Sequence, residues 1–165
     1  MVSTIVAPVE IDGAMDSTPL VVTGRTELST DGDGSILDLS GPIQDFLAVH
    51  EAREGILVVF VPGSTAGITT IEYESGALAD LRRTIDRIAP RGSDYAHDRR
   101  WGDGNGFSHV RAALMGPSIA IPIERGRPTL GTWQQVVLCD FDNRPRRRTV
   151  VMQFTGSCDD EAGTD

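Results

Sequence analysis

The stretch GILVVFVP, residues 55–62, carries the strongest strand signal in this chain. Its central residues, 56–61, are continuously apolar and stand between a glycine and a proline. A short apolar run with such boundaries is typical of a central strand that is buried on both faces. A second strand is predicted over residues 66–73, so the middle of the fold is expected to be a sheet.

The segments before this strand are predicted to form a hairpin and a short helix. LVVTGRTELST at residues 20–30 has the pattern of a strand, and the Asp-Gly-Asp-Gly turn at 31–34 joins it to a second strand in SILDLS, residues 35–40. Gly41-Pro42 then marks a helix start, because proline is favoured at the first helical position. Residues with helical spacing follow at Ile43, Phe46, Leu47 and His50.

The segments after residue 73 predict helices first and strands last. Helical spacing from Leu78 ends at Pro90, and a further helix, with a stripe formed by Phe107, Val110 and Leu114, follows the long loop 91–106. Alternation and turn residues predict strands at 119–123, 132–141 and 148–154. Together these elements predict an α+β fold: one compact domain with a largely antiparallel, mixed β-sheet core and two to three short helices.

The composition restricts the chemistry and the partners. The chain has 165 residues and a net charge of −9, and all 15 of its basic residues are arginine, so mechanisms that need a lysine are excluded. The acidic excess argues against nucleic acid, and no apolar run is long enough to cross a membrane. We expect a cytoplasmic protein with free thiols, since the N-terminus lacks a secretory pattern. The domain is predicted over residues 19–156, with tails at 1–18 and 157–165.

Residues 95–109 hold the densest set of chemically useful side chains. Two of the three histidines, His97 and His109, lie here among aspartates and glycines. Histidine can act as acid, base or metal ligand, and glycines let backbone amides approach a ligand. The same residues also fit an ordinary turn in which Asn105 caps the following helix and Asp103 is solvated. The residues alone leave both interpretations open.

Two weaker signals lie near the C-terminal end. The arginines at 144 and 146–148 could clamp a phosphate, but a charged run more often protects an edge strand, which is the favoured interpretation. Cys139 alternates with Val137 and Phe141 and is predicted to pack as a small hydrophobic residue.

Three separated stretches resemble one known family. They are FVPGSTAGITTIE (60–72), HDRRWGDGNGFSHVRAALMGPSIAIPIERGRPTLGTWQ (97–134) and CDFDNRPRRRTVVMQF (139–154). These stretches are similar to the YjbQ-like family, also called secondary thiamine-phosphate synthases. The resemblance implies a compact α+β protein that forms homotrimers, and a weak thiamine-phosphate synthase activity has been ascribed to some members.

The resemblance also implies which residues form the site. It implies that His109 and Asp103 are catalytic. It implies that a small phosphorylated or polar ligand is bound by Ser64, Thr65, Glu72, Asn105, Arg111 and Gln134. The chain departs from the family at Gly63 and Phe107, where the family usually has histidine, and at Ile71, where it usually has asparagine.

Two functional hypotheses therefore remain. The protein is either a weak thiamine-phosphate synthase, which joins a pyrimidine diphosphate to a thiazole phosphate, or a catalytically degenerate member that serves as a small-ligand-binding or oligomeric scaffold. No metal ligands are assigned and the cofactor is unknown, because glycine and phenylalanine cannot replace the family histidines as ligands. We expect far less than one metal ion per chain. Stoichiometric metal would implicate other ligands, such as His97 and Asp103.

Overall fold

Eight strands and four helices make up the described part of the chain, residues 19–158 of a computed structural model. The strands are β1 (Leu20–Thr30), β2 (Ser35–Asp38), β3 (Ala52–Phe60), β4 (Ala66–Ile71), β5 (Ser118–Glu124), β6 (Arg127–Pro128), β7 (Gln135–Asp140) and β8 (Arg146–Cys158). The helices are α1 (Ser40–Val49), α2 (Ser75–Ile88), α3 (Ala96–Trp101) and α4 (Gly106–Met115).

The strands form two sheets, and every strand pair in the described residues is antiparallel. The larger sheet has the order β1-β8-β3-β5-β6, and the smaller sheet has the order β2-β7-β4. The main core lies between the two sheets and is closed by α1. A second core lies on the other side of the small sheet, under α2 and α4. The predicted α+β class is confirmed.

The strand buried on both faces is β7, not β3. Val136 and Leu138 of β7 point into the main core, whereas Val137 and Cys139 point into the second core, and all four are at most 1% exposed. In contrast, β3 is central in its sheet but buries only one face, and Ile56 on its other face is 53% exposed. The prediction for residues 56–61 is wrong on this point because no helix layer of the described chain covers the outer face of the large sheet.

The predicted hairpin between residues 20–30 and 35–40 does not form. β1 pairs with β8 and β2 pairs with β7, so the turn at 31–34 carries the chain from one sheet to the other. Gly32, Asp33 and Gly34 all have positive φ (72°, 50° and 79°), and the Asp33 amide donates to the Asp142 carbonyl over 2.7 Å. The turn is therefore bonded to the β7–β8 connection rather than closing a two-stranded ribbon.

The helices follow the predictions with two differences. α3 was not predicted, because it is six residues long, buries no residue and carries no apolar period. On α4 the predicted stripe is wrong: Val110 and Leu114 are 40% and 60% exposed, while Ser108 and Arg111 are buried. These polar residues turn inward because each has hydrogen-bond partners in the interior.

Strand β8 closes the described part of the chain. β8 continues to Cys158, which pairs with Ala52, so the ordered strand extends two residues beyond the predicted boundary at 156. The tail predicted at 1–18, and residues 159–165 of the tail predicted at 157–165, lie outside the described residues. None of the described helices has both the length and the apolar character needed to span a membrane.

Candidate functional site

The α3–α4 loop brings one histidine and two carboxylates together. Gly102 and Gly104 adopt positive φ (66° and 63°), which lets the loop curl so that Asp103 lies beside His97. The Nδ1 atom of His97 is 3.3 Å from Oδ1 of Asp103 and 3.6 Å from Oδ1 of Asp98. One ligating atom from each of these three residues lies within 4.8 Å of the others. We call these three residues the His97 cluster.

His109 lies next to the cluster. Its ring and that of His97 have centroids 4.4 Å apart and planes inclined by 40°. His97 Nδ1 is buried and has no hydrogen-bond partner among the described residues. A buried polar atom without a partner is uncommon, because its lost hydration is not replaced. The cluster therefore contains an unsatisfied nitrogen that faces two carboxylates.

The two carboxylates of the cluster are held by backbone amides. Oδ1 of Asp98 accepts from the Gly106 amide over 2.7 Å, and Oδ1 of Asp103 accepts from the Asn105 amide over 3.3 Å. Gly106 is required at its position, because a Cβ there would stand 2.5 Å from Cβ of Tyr95. The start of α4 thus approaches α3 closely enough to fix the position of Asp98.

The start of α4 is also bonded to the β7–β8 connection. Oδ1 of Asn105 accepts from the Asn143 amide over 3.2 Å, and Nδ2 of Asn143 donates to the Asp103 carbonyl over 2.8 Å. Ser108 Oγ is 2.5 Å from Oδ1 of Asn105 and equally close to the Phe141 carbonyl. Asn105 occupies the N-cap position but makes no side-chain cap bond, so its side chain joins the helix to the sheet.

A buried charge network lies at the same end of the small sheet. Arg148 donates from Nε and Nη2 to the two carboxylate oxygens of Asp140, over 2.7 Å and 2.6 Å. Its Nη2 also donates to Oγ1 of Thr65, which in turn donates to Asp142. The charged-edge interpretation of the arginine run is therefore wrong: β8 is flanked by β1 and β3, and Arg148 is only 9% exposed.

Asp142 is a second fully buried carboxylate in this network. Burial raises its pKa, but hydrogen bonds from Arg146 and Thr65 lower it more, so the pKa lies below the ordinary value of an aspartate. Arg146 donates from Nε to Oδ2 of Asp142 over 2.8 Å, whereas Oδ1 has no partner in the described residues. The network thus places two buried carboxylates beside two arginines.

Arg111, a predicted ligand-binding residue, joins two helices. It is 3% exposed, its Nε donates to the Ala89 carbonyl over 2.9 Å, and its Nη2 donates to Asp86 over 2.6 Å. Its guanidinium lies 4.8 Å from the ring centre of Phe107. All of its described partners belong to the protein, so the fold itself already uses this side chain.

The predicted site residues fall into two groups within the chain. Ser64, Thr65, Asp103, Asn105 and His109 lie on elements that meet near the start of β4 and the end of β7. Glu72 and Gln134 lie at the other end of β4, because Ala66 pairs with Asp140 whereas Ile71 pairs with Gln135. The length of β4 separates the ends by about 17 Å. Gln134 donates there to Oγ1 of Thr70 over 3.1 Å.

The two positions at which the family resemblance implies histidine have different surroundings. Phe107 is 3% exposed, and the guanidiniums of Arg91 and Arg111 lie 4.9 Å and 4.8 Å from its ring centre. Gly63 has φ of +129°, a conformation that strains any residue with a side chain, and a Cβ there would meet Nη1 of Arg148 at 3.4 Å. Neither position carries an ionisable group.

A wide depression of the described surface lies elsewhere. It has a volume of about 650 Å³ and runs between α1 and the β5–β6 turn, lined by residues such as Leu47, Glu51 and Pro128. Its lining includes one carboxylate and no histidine. The His97 cluster is therefore the better candidate for chemistry, although it is a surface cluster rather than a deep pocket.

The fold and the site together define a class: a small α+β protein of two stacked antiparallel sheets and a helix layer, with a polar cluster at one end of the inner sheet. A sequence profile described as "UPF0047 protein YjbQ-like" matches residues 24–157. The chain belongs to this family.

Relatives and solved structures agree with this assignment. A UPF0047 protein from Mycobacterium bovis is 38% identical over 119 residues, which is 72% of this chain and 90% of the relative. A crystal structure from Clostridium acetobutylicum, described as an uncharacterised conserved protein of the YjbQ/UPF0047 family, is 32% identical with a TM-score of 0.72 and covers 79% of this chain and 98% of its own. A hypothetical protein from Aeropyrum pernix is 30% identical with a TM-score of 0.77, over 82% and 99% of the two chains.

Sequence reasoning missed the buried network. Asp140 and Asp142 stand in the segment VLCDFDN, and a carboxylate at the end of a buried strand was the available signal. Burying a carboxylate costs folding free energy unless a cation pairs with it, so such a residue predicts an arginine partner. The sequence did single out His97 and Asp98 as part of the loop, but nothing in it indicated the distance between the imidazole and the carboxylate.

Proposed function

We propose that this protein is a catalytically degenerate member of its family that binds a small polar ligand at the His97 cluster and does not catalyse thiamine-phosphate formation. The observation that carries the proposal is the setting of Phe107, which is buried between two arginines. An imidazole at that position could exchange protons, whereas a phenyl ring can only pack. Gly63 removes a second group of the same kind.

The accessible polar groups of the site belong to the His97 cluster and to His109 rather than to the other predicted contact residues. Thr65, Asn105 and Arg111 are buried and their polar atoms already bond to the protein. His97 and Asp103 keep side-chain exposures of 32% and 46%, so they remain accessible to a ligand. His109 lies against His97 and is also partly exposed. A ligand would thus meet imidazole and carboxylate groups on one surface.

The competing function is the weak thiamine-phosphate synthase activity implied by the resemblance. Purified protein is incubated with the pyrimidine diphosphate and the thiazole phosphate, and thiamine phosphate is quantified by fluorescence after oxidation to a thiochrome. We expect no product above that of the His109→Ala variant. Product formed by the unmodified chain and abolished in His109→Ala would overturn the proposal in favour of the enzyme.

Variants that restore the histidines test the same proposal by gain of activity. The variants are Phe107→His alone and Phe107→His combined with Gly63→His. Activity that appears only in a reversal variant would support degeneration through these two positions. Because Gly63 has a strained φ, the double variant requires a thermal melt as a control for folding, and the single variant tests the idea without that strain.

The proposal includes the homotrimer that the resemblance implies. The outer face of β3 carries Ile56, Val58 and Phe60, which are 53%, 37% and 37% exposed in the single chain. An apolar sheet face of this kind is suited to burial between copies. Light scattering should give three times the 17.7 kDa chain mass, and Val58→Glu should lower it. A monomer at micromolar concentration would contradict the trimer.

A reducing, cytoplasmic compartment is also part of the proposal. Cys139 is a free thiol that is buried in the second core. Free thiols persist where the surroundings are reducing. Fractionation of the native cells followed by immunoblotting would test this location, and recovery from a secreted or membrane fraction would contradict it.

A further inference from the structure

We propose that His97, Asp98 and Asp103 bind one divalent transition-metal ion of the zinc type. This inference rests on the proposed function, because it names the ion that occupies the same ligand-binding cluster. It requires no histidine at positions 63 or 107, at which the resemblance implies one, and it replaces the expectation from the sequence of far less than one metal ion per chain.

The distances within the cluster suit a small ion. A tetrahedral ion with bonds of 2.0–2.2 Å holds its ligand atoms about 3.4 Å apart. The separations of His97 Nδ1 from the oxygens of Asp103 and Asp98 are 3.3 Å and 3.6 Å. The three ligand atoms lie within 4.8 Å of one another, so one carboxylate has to move toward the other for a single ion to contact all three residues. The cluster combines one imidazole with two carboxylates, and the imidazole favours zinc-like ions over Mg²⁺ or Ca²⁺.

The hydrogen bonding of His97 Nδ1 adds to this geometry, although the His97 side chain as a whole is 32% exposed. His97 Nδ1 is buried and makes no hydrogen bond in the described residues, although two carboxylate oxygens lie within 3.6 Å. A nitrogen that carried a proton there would be expected to align with one of these oxygens. A lone pair that is buried against two negative groups is stabilised by a cation placed between them.

The surroundings hold the ligands in place as a metal site requires. The Gly106 and Asn105 amides donate hydrogen bonds to the two carboxylates, and the tilted ring of His109 lies against that of His97. Supporting bonds of this kind determine the orientation of metal ligands. Three protein ligands leave at least one coordination position open. A phosphate or carboxylate of the bound ligand can take that position, and the cation then offsets its repulsion from the two aspartates.

The inference is tested by titrating metal into full-length, untagged protein. The protein is stripped with a chelator and dialysed, and Zn²⁺ is added in a calorimeter at pH 7.5. Co²⁺ is used in parallel because its visible absorption reports the coordination geometry. We expect one ion per chain, and at least a tenfold loss of affinity in His97→Ala and in Asp103→Asn.

Matched controls separate the cluster from general binding. His50→Ala removes a histidine from the end of α1, and Asp94→Asn removes an exposed aspartate just before α3. Both should leave the affinity unchanged. Asp103→Asn keeps the shape of the side chain, so it tests the charge even if His97→Ala disturbs the fold. Circular dichroism and a thermal melt report folding for each variant.

Three outcomes would overturn the inference. They are the absence of stoichiometric binding, binding that is unchanged in both cluster variants, and binding that is lost equally in the controls. The titration contains no phosphorylated compound, so its failure is distinct from that of the proposed function, which the thiamine-phosphate assay tests. If the protein binds no metal and makes no thiamine phosphate, only the metal inference is refuted.

Discussion

The buried pair of Arg148 and Asp140 offers the sharpest test of how this fold is held together. Arg148 makes two hydrogen bonds to Asp140 and one to Thr65, all between 2.6 Å and 2.7 Å. The pair has side-chain exposures of 10% and 0%. Replacing Arg148 with methionine keeps an unbranched apolar stem but removes the guanidinium, with its charge and all of its donors.

The expected cost follows from what is left behind. Asp140 would keep its bonds from Thr30 Oγ1 and the Asp142 amide, but its charge would be buried without a cation bonded to it. Breaking a buried ion pair in this way costs about 3–5 kcal/mol. For a protein of this size each kcal/mol lowers Tm by about 2–4 °C, so Arg148→Met should melt roughly 6–20 °C lower.

The measurement is urea unfolding at pH 7, followed by circular dichroism and supported by a thermal melt. Arg147→Met is the matched control, because Arg147 precedes Arg148 on β8, has a side chain that is 76% exposed and pairs with Glu27 at the surface. An exposed pair contributes about 0–1 kcal/mol. The double variant Arg148→Met with Asp140→Asn should recover about 2 kcal/mol, because the unpaired charge is then gone. Equal losses in Arg148→Met and Arg147→Met, with no recovery in the double variant, would refute this account.

Three further predictions concern single positions. Burial raises the pKa of Cys139 to about 12, so its thiol should resist iodoacetamide at pH 8 until urea unfolds the chain; peptide mass spectrometry that finds it labelled as fast as Cys158 would contradict its burial. Asp142 has a pKa below its ordinary value, so its stabilising contribution is present at neutral pH and is lost as the pH falls through the folded-state pKa. Asp142→Asn should cost about 1–3 kcal/mol at pH 7 and should flatten the acid side, below about pH 4, of a stability–pH curve. Gly106→Ala should cost about 1–3 kcal/mol in urea unfolding, because its Cβ would meet Tyr95, whereas Gly41→Ala, with nothing within 4 Å, should be neutral or stabilising.

The local elements could be predicted from the sequence, but their partners could not. Apolar period and chain-breaking residues located most strands and three of the four helices, since these signals act over a few residues. The sequence predicts a turn at 31–34. The path of the chain after this turn, from one sheet to the other, depends on bonds to Asp142, more than a hundred residues away. For the same reason β7 could not be recognised as the doubly buried strand. Its run of valine, leucine and cysteine looks no more buried than that of β3.

The sequence located the loop that forms the candidate site, but it did not show which side chains of that loop lie close together. The family resemblance and the residues drew attention to the loop that contains His97, Asp103 and His109. The structure places the first two 3.3 Å apart, a distance that depends on two left-handed glycines and a six-residue helix without apolar signal. Arg111 shows the opposite case. The resemblance implies that it contacts a ligand, but its Nε and Nη2 donate to the Ala89 carbonyl and to Asp86 at the end of α2.

The position of β7 has a consequence for how the molecule comes apart. This strand has hydrogen-bonded neighbours along both edges and a core against each face, so it is enclosed on all four sides. Neither core can open without exposing one face of it, and the two cores should therefore melt in one cooperative transition rather than in separate steps. Its backbone amides should be the last to exchange with deuterated solvent, because only global unfolding releases them.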